Sequence, residues 1–189
     1  MYLFADRIAT WMARLCGFAL LAAVAVITTE VLARKFVGIS VVGVDELGGY
    51  VLAVTVTWGC SLAIIRRAHV RIDILQSRLP NKLQAVLDSL ALVSMFLFAV
   101  FLAWFATGLL QDSWQTGAVS NSQMRIPRWI PHGLWAIGFW VFGAVTLLLI
   151  VEHARAVLRQ NWVLAHEIAG VRGAEEEAGD ETRDAQERA

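Results

Sequence analysis

Charge is the first thing this chain has little of. Asp, Glu, Lys and Arg make up 17% of its 189 residues, against roughly 25% in an ordinary soluble domain, so the polar surface of a water-soluble fold is missing. Cysteine is equally scarce. Cys16 and Cys60 both fall in apolar segments without a Cys-x-x-Cys or Cys/His spacing, which argues against zinc or a disulfide framework and leaves them as small apolar filler. Proline occurs only at Pro80, Pro127 and Pro131. No phosphate-binding glycine loop, metal cage or hydrolase triad is present.

What fills the chain is hydrocarbon: 58% of residues are hydrophobic and the mean hydropathy is +0.59. A bilayer core about 30 Å thick takes roughly 20 apolar residues per helix. Four charge-free windows approach or exceed that length: residues 15–29 (extended to 33 if Glu30 is tolerated), 47–65, 89–111 and 129–151. The sequence therefore predicts an all-α membrane protein with four transmembrane helices, over about 11–33, 45–65, 84–110 and 130–151, within a domain ending near residue 162. The first run contains Ala23-Val24-Ala25, which resembles a signal-peptidase site. It continues past that point to Thr29, and so reads as a spanning helix.

The ends of the windows carry an asymmetric charge. Arg7, Arg14, Arg66, Arg67, Arg71, Arg78, Lys82, Arg155 and Arg159 fall on one side of a four-span layout, and Arg34, Lys35, Arg125 and Arg128 on the other. Lys and Arg accumulate on the cytoplasmic side, which predicts both termini inside. The stretch "RRAHVRIDILQSRLPNK", Arg66 to Lys82, is then a basic interfacial turn between spans two and three, its arginines toward lipid headgroups or a partner. Lacking aromatic stacking groups, it does not suit nucleic acid. Pro80 ends the turn, and Asn81 is the expected N-cap of span three. On the other side, Gln111 to Gly133 reads as a loop rich in Gly, Ser, Asn and Pro, with Trp114 and Trp129 at headgroup level. Beyond residue 162 a short helix is expected around 163–171. Residues 173–189 hold seven acidic residues and two arginines, a composition that predicts a largely disordered acidic tail over 163–189.

Few ionisable groups remain to carry chemistry. Glu30 and Arg34 are one turn apart near the end of span one, while Asp45 and Glu46 begin span two, so Arg34 is expected to pair with Glu30 or Glu46. A proton relay would need a polar group deeper in the bilayer, and the span interiors are read as lacking acidic, basic and amide side chains. His132 and His153 lie at opposite ends of span four, with His69 and His166 outside the spans, a poor arrangement for a bis-histidine haem. His69 and Asp73, four apart, lack a nucleophile and read as an interfacial pair. No cofactor or metal is expected.

Three stretches carry a resemblance: "EVLARKF" ending span one, "DELGGYVLAVTVTWGCSLAIIRRAHVRIDIL" over span two and its turn, and "QMRIPRWIP" before span four. In order and spacing, over roughly residues 7–160, they resemble the small membrane subunit of tripartite ATP-independent periplasmic (TRAP) transporters, the DctQ-like family. In that pattern Arg34, Glu46, Gly59, His69, Asp73, Pro127 and Trp129 take the polar or turn positions, with Arg71 of the basic turn a further interface candidate. Pro131 follows "IPRW" more closely than the pattern leads one to expect. The resemblance implies a non-catalytic scaffold subunit in a bacterial inner membrane. Its partners would be a large polytopic subunit coupled to sodium and a periplasmic binding protein that delivers an organic acid. A tetraspan haem-bearing or redox anchor subunit is the alternative.

Overall fold

The computed structural model describes residues 2–38, 43–68 and 79–170. Among these the chain forms five helices: α1 Tyr2–Phe36, α2 Val44–Ile65, α3 Asn81–Thr116, α4 Trp129–Leu158 and α5 Trp162–Ala169. The first four are long and apolar enough to cross a membrane, as the charge-free windows predict. They overrun those windows. The 36 residues of α3 extend about 54 Å at ~1.5 Å per residue, well beyond the hydrocarbon layer. Lipid sets the length of an apolar run, whereas helix length depends on breakers, and α3 has no proline and only Gly108 to weaken it.

Three helices stop in the same way. After α3, Gly117 adopts φ +60° and the amide of Ala118 donates back to the Ser113 carbonyl at 3.2 Å, the six-to-one bond of a Schellman turn. Arg67 (φ 56°) and Gln160 (φ 55°) do the same after α2 and α4, with Ala68 donating to Ala63 and Asn161 to Ala156. Only the first uses glycine. A left-handed arginine or glutamine costs about 1 kcal/mol and leaves no mark in the sequence. Asn161 then accepts from the Leu164 amide at 3.1 Å and caps α5. Asn81 does not cap α3: it is the first helical residue, Pro80 occupies the cap, and no side chain bonds there.

The four long helices lie in a row. α1 packs along α2, α2 along α4 and α4 along α3, while α5 closes one end against α3 and α4. In its most apolar window α4 buries 44% of residues and α1, at the edge, 17%. Small residues mark the seams. Ala99, Ala103 and Ala106 of α3 are fully buried and face Phe139 and Phe142 of α4. At Gly48 a Cβ would fall 2.7 Å from Ile27 of α1, and at Gly138 it would fall 2.5 Å from Thr57 and 2.6 Å from Trp58 of α2. With lipid as apolar as the core, close approach of backbones rather than hydrophobicity selects these faces.

Two tryptophans are tied to neighbouring helices. Trp58 Nε1 donates to the Leu134 carbonyl at 2.9 Å and Trp140 Nε1 to Thr107 Oγ1 at 3.0 Å. Both bonds cross between helices. Trp135 stands edge-on to Phe139, 5.1 Å between centroids.

Candidate functional site

Polar side chains gather at the two ends of the row. At the loop end, the expected loop of residues 111–133 shrinks to 117–128, because α3 runs on to Thr116 and α4 begins at Trp129. Pro131 occupies the third position of α4, where a missing amide hydrogen breaks no helical bond. The loop is bonded to itself: Val119 pairs with Pro127, Ser120 N donates to Ile126 O at 2.8 Å, and Arg128 N to Ala118 O at 2.9 Å. Arg128 Nη2 also donates to Asn121 Oδ1 at 2.9 Å. Trp114 and Trp129 meet edge-to-face at 5.1 Å across the loop's base, and His132 Nδ1 lies 2.7 Å from Ser113 Oγ.

Glu46 docks this loop on α2. Its Oε1 accepts from the Asn121 amide at 3.3 Å and from the Tyr50 hydroxyl at 3.1 Å, and the hydroxyls of Ser120 and Ser122 lie against the same carboxylate. The approach is close because Gly43, at φ +101°, has no side chain: a Cβ there would sit 3.0 Å from Ser122. Of the two partners expected for Arg34, the structure selects Glu30. Arg34 Nε is 3.8 Å from Glu30 Oε1, with the arginine half exposed and the glutamate buried. This pair stays on α1, so it does not join α1 to α2.

The tail end holds what the sequence reading missed. Asp88 and His153, both 2% exposed, lie inside the packed ends of α3 and α4. His153 Nδ1 is 3.1 Å from the Ala165 carbonyl of α5, and its Nε2 is 3.0 Å from Ser89 Oγ and 3.3 Å from the Ala85 carbonyl of α3. A carbonyl can only accept, so a bond from this ring to Ala165 or to Ala85 needs a proton on the nitrogen concerned. One imidazole thereby joins three helices. His166 Nδ1 of α5 stands 4.0 Å from Asp88 Oδ2, and Arg67 Nη1 reaches the His166 carbonyl at 3.5 Å. Arg66 pairs with Asp6 at 3.2 Å, joining the end of α2 to the start of α1. The basic turn thus begins with two arginines bound to protein rather than left wholly for headgroups.

The short helix expected around 163–171 is α5, Trp162–Ala169, which packs against α3 and α4. Among the remaining interface candidates, Gly59 is half-buried, and a Cβ there would meet nothing within 4 Å. Pro127 closes the loop and Trp129 opens α4. His69, Arg71 and Asp73 lie outside the described residues, as do residues 171–189. His132 and His153 sit at opposite ends of α4, each bonded within the protein. Among the described residues no three His, Cys, Asp or Glu side chains come together to hold a metal. The polar groups at both ends join helices and loop. The sequence signals for the tail-end cluster were slight: Asp88 just inside span three, and His153 just past span four.

A search of curated proteins gave no match to the chain. A family model described as "Tripartite ATP-independent periplasmic transporters, DctQ component" matches residues 23–159, from the middle of α1 to the end of α4. That stretch takes in the Arg34–Glu30 pair, the Glu46-docked loop and His153 with its partners on α3. This multi-pass membrane chain belongs to the DctQ component family of tripartite ATP-independent periplasmic transporters.

Proposed function

We propose that the chain is the non-catalytic scaffold, or stator, of a sodium-coupled importer in the bacterial inner membrane. A large polytopic subunit moves an organic acid that a periplasmic binding protein delivers. One observation chiefly supports this reading: among the described residues the buried ionisable side chains, Glu30, Asp88 and His153, lie toward the two ends of the helix row, and His153 is bonded to two neighbouring helices. Thr57 and Thr146, buried between the ends, return their hydroxyls to carbonyls of their own helices. A carrier's path requires polar groups facing a cavity at mid-depth. A row of helices cross-tied at both ends is instead a stiff slab that adds lipid-facing area to a fixed part. The test is uptake in proteoliposomes. This chain alone is expected to give none, and the chain with its large partner and binding protein should give sodium-dependent uptake. Transport by the chain alone would overturn the scaffold reading.

In this reading the loop end faces the periplasm and the tail end the cytoplasm, following the charge count. In a background without Cys16 and Cys60, an impermeant thiol reagent added to intact cells should label Gln123→Cys and not Gln160→Cys. Both positions are exposed. Ser120, though in the same loop, is only 4% exposed and would be a poor reporter. The opposite labelling pattern would invert the topology.

A further inference from the structure

Between α1, α2 and α4 at the loop end is a cleft of about 330 Å³, walled by Leu15, Ala19, Val51, Val54, Trp58 and Leu134, with Tyr50 and Ile126 toward the loop. It exists because α1 packs along α2 and not along α4, so the two outer helices diverge over the face of α2. Its walls are apolar, and Leu15 and Leu134 are 57% and 40% exposed, which leaves the cleft open to the surrounding membrane. Apolar walls open to the bilayer suit a hydrocarbon chain.

The charge at its loop end narrows the chemistry. Arg125 and Arg128 flank Ile126 in sequence. Arg125 is exposed, and Arg128 lies near enough to Tyr50 for the two to interact electrostatically. Only one of the five N–H groups of Arg128 is given to Asn121, so donors remain. Glu46, the carboxylate at the same end, already accepts from Tyr50 and Asn121. Arg128 beside Tyr50, which lines the cleft, puts a cation near the loop end of a hydrocarbon slot, a match for a phosphodiester carrying an acyl chain. We propose that this cleft binds one membrane phospholipid, its acyl chain lying between α1 and α4 and its phosphate at Arg125 and Arg128. The lipid would act as the missing contact between α1 and α4. The inference rests on membrane embedding alone and not on the stator reading, so either can fail without the other.

The test uses the full chain purified in mild detergent. Native mass spectrometry should find one phospholipid retained per chain. Ala19→Trp, which fills the cleft from α1, should lose it, and Val54→Phe, which narrows it from α2, should do the same if the first variant does not fold. After delipidation, dioleoylphosphatidylglycerol should raise the melting temperature of the unaltered chain and not that of Ala19→Trp. Dioleoylglycerol, with the same acyl chains and no phosphate, should raise it less, and Arg125→Gln should shrink the difference between the two lipids. The proposal is overturned if the unaltered chain retains no lipid, if a filled-cleft variant that folds retains as much, or if dioleoylglycerol stabilises as well as the phospholipid.

Discussion

Replacing His153 with alanine will release α5 from the helix row. The imidazole is buried and holds the Ala165 carbonyl of α5 and the Ser89 hydroxyl of α3 from one point on α4. Its loss leaves a buried carbonyl without this donor and a cavity where the ring was. Together these should cost about 2–4 kcal/mol. The expected result is a lower melting temperature in detergent, with faster amide exchange over Trp162–Ala169 than over α2. His153→Phe separates the two causes, since it keeps most of the volume and none of the hydrogen bonds. If exchange in α5 remains slow in both variants, His153 does not hold that helix.

Gly138→Val will have a comparable effect at the other main junction. A Cβ at Gly138 would lie 2.5 Å from Thr57 Oγ1 and 2.8 Å from Thr57 Cβ, inside contact distance, and Thr57 is 1% exposed with little room to yield. α2 and α4 would have to separate, weakening the bond from Trp58 to Leu134. Overpacking of this kind costs typically 1–3 kcal/mol. Gly59→Val is the control, because a Cβ there meets nothing within 4 Å, and its effect on the isolated chain should stay within about 0.5 kcal/mol. Equal melting temperatures for the Gly138 and Gly59 variants would mean that the α2–α4 seam is not closely packed.

The contrast between these two glycines shows what a sequence of this kind reveals. The spans were legible because bilayer thickness imposes a length of apolar residues that few soluble folds repeat four times. Which face of each span is buried was not, since lipid and core are equally apolar and the hydropathy of Gly48, Gly59 and Gly138 is identical. Only the structure separates Gly48 and Gly138, at closed seams, from Gly59, which is open. Helix ends were concealed for another reason: Arg67 and Gln160 take the left-handed turn that glycine usually marks. Glu46 was singled out by its place in the family pattern, yet its partner, the amide of Asn121, lies 75 residues away. A backbone donor has no sequence signature. His153 was set aside as a haem ligand because it and His132 stand at opposite ends of span four, and the docking of α5 against α3 and α4 turns that end, with Asp88, into interior.

The central claim is that this chain stays still while its large partner moves. A cysteine pair joining an exposed position of α2, such as Gly49, to the fixed scaffold of the large subunit would tether the two chains across the bilayer. The tethered complex, with the crosslink verified and the assembly intact by size, should take up substrate at close to the uncrosslinked rate. A second crosslink, between the partner's own mobile and fixed parts, should abolish uptake and so confirm that the assay reports the motion. If the tether from Gly49 alone stops transport while the complex remains assembled, this chain must move during the cycle, and the scaffold account is contradicted.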